Sequence, residues 1–195
     1  DVYAGYVSGT FPITDHYSLK LGVRDEYTTN RIPSDTGNLV PSYNSFIPSV
    51  IISRKIGKNQ ALKVSYYRRL QRAEYNKLNP FIDATDPTSL TQGNPYLKPE
   101  RTNAGELTYS NFFEQGSALL ITLFYRNTQD DEQSYILHAD SVVAGKTVYR
   151  DVTITTRENA GRQQTTGISI SGTLSLSRKL EVRGHFRLFP KYLIE

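Results

Sequence analysis

Connections between the strand-like runs of this chain alternate between short and long, and that alternation limits the folds open to it. The short ones lie near residues 12–16, 57–60, 113–117 and 177–179; the long ones span 29–43, 71–102 and 128–147. Tight turns at one end of a sheet and long loops at the other are the pattern of an up-and-down barrel that crosses an outer membrane.

The runs alternate apolar and polar residues with a period of two, as strands with unlike faces do. In 2–11, Tyr3, Val7 and Phe11 share a face with Gly5 and Gly9, opposite Ala4, Tyr6 and Ser8. In 17–28, Leu19, Leu21 and Val23 oppose Ser18, Lys20, Arg24 and Glu26. In 46–56, Phe46, Val50, Ile52 and Ile56 oppose Ser49, Ser53 and Lys55, and Pro48 demands an edge, a bulge or a rim position. In 61–71, Leu62, Val64 and Tyr66 oppose Lys63, Ser65 and Tyr67. The run 103–112 is weaker, whereas 118–127 carries a clear stripe of Leu119, Ile121, Leu123 and Tyr125. In 180–188, Leu180, Val182, Phe186 and Leu188 oppose Glu181, Arg183, His185 and Arg187.

Residues 148–177 admit two readings: two strands broken at Glu158-Asn159-Ala160-Gly161, or one long strand with bulges at Gly161 and Gly167. Only the single strand keeps short and long connections in strict succession, so we expect one strand there. The expected fold class is then all-β: an antiparallel meander of about eight long strands in four hairpins, forming one segment over 1–195 of a transmembrane outer-membrane barrel.

Composition permits this. No helical period of useful length occurs, and no apolar run reaches the ~18 residues of a membrane helix, but a membrane β-strand needs only about 9–11 residues. Cysteine is absent, which excludes disulfides and thiolate metal sites. The net charge of +4 is spread along the chain, so no nucleic-acid partner is expected. A soluble sheet with one wet face would show the same alternation. The length of the strands and their small or charged polar faces favour the barrel. A soluble or surface-exposed all-β binding or structural module is the second reading.

The chemistry-bearing residues gather where strand 61–71 leaves the sheet. Arg68, Arg69 and Arg72 form a cationic cluster suited either to an anionic ligand or surface-lipid phosphate, or to a solvated rim held by carboxylates of adjacent loops. The following loop is dense in Asn, Pro and Gly, which fix a defined backbone shape. Its Tyr75, Asn79, Phe81, Asn94, Tyr96 and Lys98 are candidates for ligand contact at an extracellular rim, or for packing the loop. His16, His138 and His185 are isolated, and Asp83, Asp86 and the Asp130-Asp131-Glu132 run lack the spacing of a calcium loop. No phosphate loop, nucleophile elbow or zinc motif occurs, so no catalytic residue, metal site or cofactor is expected.

The segments Tyr66-Tyr67-Arg68-Arg69-Leu70-Gln71-Arg72, Tyr75-Asn76-Lys77-Leu78-Asn79-Pro80-Phe81 and Gly93-Asn94-Pro95-Tyr96-Leu97-Lys98-Pro99-Glu100 resemble the signature of TonB-dependent receptor barrels, the Bacteroidetes type most of all. Ala73 departs from that pattern, which usually has proline there. Glu106-Leu107-Thr108-Tyr109, Phe124-Tyr125-Arg126 and Glu158-Asn159-Ala160-Gly161 extend the likeness weakly. The resemblance implies a barrel of about twenty-two strands, of which this chain is an internal portion. It also implies a plug domain, coupling to the TonB system, outer-membrane lipid around the wall and an extracellular lipoprotein partner. The implied cargo is a scarce nutrient of the siderophore, cobalamin or glycan class.

Overall fold

The structure, a computed structural model, describes residues 1–34, 37–38, 40–113, 116–177 and 180–194. In chain order it comprises β1 (Val2–Pro12), β2 (Tyr17–Thr28), β3 (Pro33–Ser34), β4 (Gly37–Asn38), β5 (Tyr43–Lys55), β6 (Gln60–Gln71), the single-turn helix α1 (Tyr75–Leu78), β7 (Ile82–Asp83) and β8 (Ser89–Gln92). The chain continues through β9 (Glu100–Phe112), β10 (Ala118–Gln129), β11 (Glu132–Ala144), β12 (Thr147–Asn159), β13 (Arg162–Ser177), β14 (Leu180–Leu188) and β15 (Lys191–Ile194). The turn expected at Arg178-Lys179, and Glu114-Gln115 of the turn before β10, lie outside the described residues.

One antiparallel sheet forms the wall, in the order β1-β2-β5-β6-β9-β10-β13-β14, with β15 also on β13. Apart from a shift between Ser175 and Ser177, β14 and β15 hold one register against β13, Ile168 opposite Leu188 and Thr165 opposite Lys191. They are one strand interrupted at Phe189-Pro190, where proline has no N–H for the ladder. The sheet is not closed: its outer strands β1 and β14 pair with no further strand among the described residues.

The register shows why the two-residue period matters. Phe11, Leu19, Ile52, Val64, Leu107, Leu123, Ile168 and Leu188 are successive cross-strand partners, so one apolar row crosses all eight wall strands. Six of the eight are well exposed, from Leu107 at 39% to Leu188 at 62%. A soluble sandwich would bury such a row under a second layer, and none covers it among the described residues. The opposite face is held by polar pairs such as Thr102 with Thr128 at 2.8 Å and Thr108 with Thr122 at 3.1 Å.

The single strand expected over 148–177 is two. β12 ends at Asn159, Gly161 turns with φ +77°, and β13 begins at Arg162. β11 and β12 form a hairpin outside the wall, in a second sheet of order β11-β12-β8-β7. The third long connection therefore spans 130–161, not 128–147. Alternation of short and long survives because both extra strands lie inside a loop. The expected bulge at Gly167 is not one either, since β13 keeps unbroken register with β10 through it. Gly167 faces Phe124 across the ladder, and a Cβ there would lie 2.7 Å from the Phe124 ring and 2.5 Å from the Leu188 carbonyl. It is glycine because a ring occupies its side-chain space.

Candidate binding face and its loops

The three long connections interlock, and the one between β6 and β9 is the hub. Leu78 and Leu97 of this connection bury with Ile32 and Val40 of the first long connection. Leu90 is fully buried with Val152 and Ile154 of β12, and β8 pairs β12 in parallel, Leu90 opposite Ile154. Two small cores thus tie the three connections to one another.

The Gly93–Glu100 motif fits this role residue by residue. The Gly93 amide donates to the Asn79 carbonyl at 2.9 Å and the Asn94 amide to the Lys77 carbonyl at 2.7 Å. Asn94 Oδ1 accepts from the Tyr96 amide at 2.9 Å, and its Nδ2 donates to the Arg157 carbonyl at 3.0 Å. The Lys98 amide donates to Asn159 Oδ1 at 2.7 Å, while Asn159 Nδ2 returns bonds to the carbonyls of Lys98 (2.9 Å) and Asp130 (2.8 Å). Glu100 accepts from the Glu132 amide at 3.1 Å. Glu132 in turn pairs with Lys77 at 3.1 Å and Arg157 at 2.6 Å. Turn residues in this loop mate with a second loop some sixty positions away.

Gly93 has no room for a side chain: a Cβ would stand 2.5 Å from both the Asn79 and Lys77 carbonyl oxygens, which are backbone and cannot swing aside. Gly93→Ala is expected to destabilise the hub by about 1–3 kcal/mol through overpacking. The check is proteolytic cleavage within 72–99 of the folded protein. Unchanged cleavage would show that the hub accommodates the methyl group.

The candidate arginines do not form one cluster. Alternation sends Arg68 to the apolar face and Arg69 to the polar face. Arg68 donates to Asn103 Oδ1 at 3.0 Å and to the Phe46 carbonyl at 3.3 Å. Arg69 lies over the Tyr67 ring, 5.0 Å from its centroid. Arg72 pairs with Glu26, which is 5% exposed and also pairs with Arg24. Glu26 belongs to strand β2, not to a loop. Tyr75, Phe81 and Tyr96 are each more than 60% exposed on the hub loop. Asp83 and Asp86 are capped locally: the Thr85 side-chain and backbone bonds, and the Thr88 backbone and side-chain bonds, hold their carboxyls below the usual range. Among the described residues no set of three His, Asp or Glu side chains could hold a metal ion.

The polar face carries a hollow of about 500 Å³, which residue-by-residue reading of the chain missed. Its floor is Phe124, 5% exposed, with Arg126 at 4.6 Å and Arg187 at 5.9 Å from the ring centroid and Phe189 at 6.5 Å. Tyr67 and Arg69 close one side and Lys191 the other. Arg126 is balanced by Glu106 at 3.2 Å, and Tyr67 donates to the same carboxylate at 2.7 Å. Arg69, Arg187 and Lys191 form no ion pair among the described residues, and Glu100 and Asp131 are the carboxylates that share the lining with them. Arg187 was visible only as the polar side of the run 180–188, and Lys191 lies beyond that run. Their meeting with Arg69 depends on four intervening strand pairings, which no local pattern contains.

Residues 1–193 match the outer membrane protein beta-barrel family. A variant ferric enterobactin receptor from Pseudomonas aeruginosa, in complex with enterobactin, superposes with a TM-score of 0.70 at 18% identity, over 100% of this chain and 27% of its own. The siderophore receptor PirA from the same organism gives 0.70 at 16% identity, over 98% of this chain and 34% of its own. A double mutant of the Serratia marcescens hemophore receptor HasR, in complex with its hemophore HasA and heme, gives 0.64 at 12%, over 100% and 34%. At these identities the likeness is one of fold, and the chain spans only 27–34% of these solved chains. No curated protein matches in sequence.

Proposed function

Since the chain belongs to the outer membrane protein beta-barrel family, we propose that it supplies wall and mouth to an outer-membrane receptor that takes up a scarce, bulky, anionic nutrient of the siderophore class. The observation that carries this is the hollow on the polar face, where Arg69, Arg187 and Lys191, none of them ion-paired among the described residues, outnumber the two lining carboxylates Glu100 and Asp131 around the Phe124 and Tyr67 rings. An excess of cations beside aromatic faces suits an anionic ligand with flat rings. A neutral glycan would leave the excess positive charge of the hollow unmet. In this reading the wall is passive. The plug and the coupling to the TonB system come from the rest of the protein, and an extracellular lipoprotein would dock on the loops.

The reading is tested on the full-length protein in outer membranes. Arg187→Ala is expected to weaken binding of a ferric catecholate siderophore by roughly tenfold, the worth of one charge-assisted contact. Binding of a neutral oligosaccharide should not change. Equal siderophore binding by wild type and variant would end the anionic-ligand reading.

A further inference from the structure

A second site opens on the other side of the wall. The β5–β6 ladder runs only from Lys55 opposite Ala61 to Ser49 opposite Tyr67. β5 nevertheless stays paired to β2 as far as Tyr43, and β6 to β9 as far as Gln71. The strands part at Pro48, which has no N–H to continue the ladder. Beyond it Arg68 reaches across to the Phe46 carbonyl in place of a backbone donor.

The parting leaves a cleft of about 400 Å³ between the strand ends, walled by Phe46 and Leu70 and bearing Arg68, Lys98, Arg101 and the carboxylate of Asp130. Register puts Phe46, Arg68, Leu70 and Arg101 on the face that carries Val50, Val64 and Leu107, the lipid side, at the loop end of the wall. Arg101 pairs with Asp130 at 2.5 Å. Arg68 bonds only neutral oxygens, and no hydrogen bond or ion pair holds the Lys98 ammonium among the described residues. Three cations face one carboxylate at the level of the outer-leaflet headgroups, above an uncovered apolar row.

We infer that this cleft binds a phosphorylated glycolipid of the outer leaflet, its phosphate between Arg68 and Lys98 and its acyl chains along Phe46, Leu70 and the apolar row. The two apolar walls contribute only to a ligand that brings hydrocarbon, which distinguishes a lipid headgroup from free phosphate. Pro48 is then the residue that makes the site, by opening the ladder.

The test uses the full-length protein in phosphatidylcholine nanodiscs that carry bis-phosphorylated lipid A, with retained lipid counted by native mass spectrometry. Wild type is expected to retain lipid A roughly tenfold better than the Arg68→Gln/Lys98→Glu double variant. It should retain dephosphorylated lipid A no better than that variant does. Lys98→Glu alone leaves the Lys98 backbone bonds to Asn159 in place, so it should lower retention even if the double variant folds poorly. Equal retention by wild type and Lys98→Glu would overturn the inference. So would displacement of lipid A by inorganic phosphate, which would mark a site for the free anion.

Discussion

Leu123→Arg is expected to lower the unfolding free energy in phospholipid vesicles by about 2–4 kcal/mol, the cost of a guanidinium on the lipid face near mid-depth. Thr122→Arg, one residue away, is expected to cost about 1 kcal/mol or less, because its side chain points to the wet face and gives up only the bond to Thr108. Leu123 stands in the middle of β10 and within the apolar row, between Leu107 and Ile168. The contrast is large because neighbouring residues of one strand differ in solvent, not in backbone. Equilibrium denaturation of the two variants from the same vesicles makes the comparison. Equal losses would mean that neither face meets lipid and would return the sheet to the soluble alternative.

Leu90→Ala is expected to cost about 2–5 kcal/mol, with the loss confined to the loops. Leu90 is fully buried, and its truncation breaks no hydrogen bond, so any effect passes through packing. The cluster it belongs to draws on two connections: Ile82 and Ala84 come from its own, and Val152, Ile154, Ala139, Val142 and Tyr149 from the β11–β12 hairpin. Hydrogen exchange should therefore accelerate in 82–92 and in 147–159 together, while β9 and β10 keep their protection. Faster exchange in 82–92 alone would show two independent loops.

Much of the wall was legible in the chain. The two-residue period placed Leu119, Ile121 and Leu123 on one face and Thr122 and Arg126 on the other, and the register agrees. The motif from Gly93 to Glu100 stood out as a shaped loop, but not as a hub, because its partners Asn159, Arg157 and Glu132 are remote in sequence. The arginines beside it read as one cluster because they are adjacent along the chain. Strand geometry divides them, Arg69 to the polar hollow and Arg68 to the lipid-side cleft.

The sequence by itself determined most of the wall strands, their two faces and the up-and-down order of their hairpins, but it merged β12 with β13 and left β11 in a loop. The features it determined follow from side-chain alternation and connection length, which are properties of neighbouring residues. Only the tertiary structure decided which strands belong to the wall. Thr147–Asn159 and Arg162–Ser177 are extended runs of similar pattern, yet β13 zips along β10 while β12 turns away at Gly161 to pair with β11 and β8. A strand's local pattern states that it will pair; the partner is set by which unpaired edge and which apolar surface the rest of the fold brings beside it.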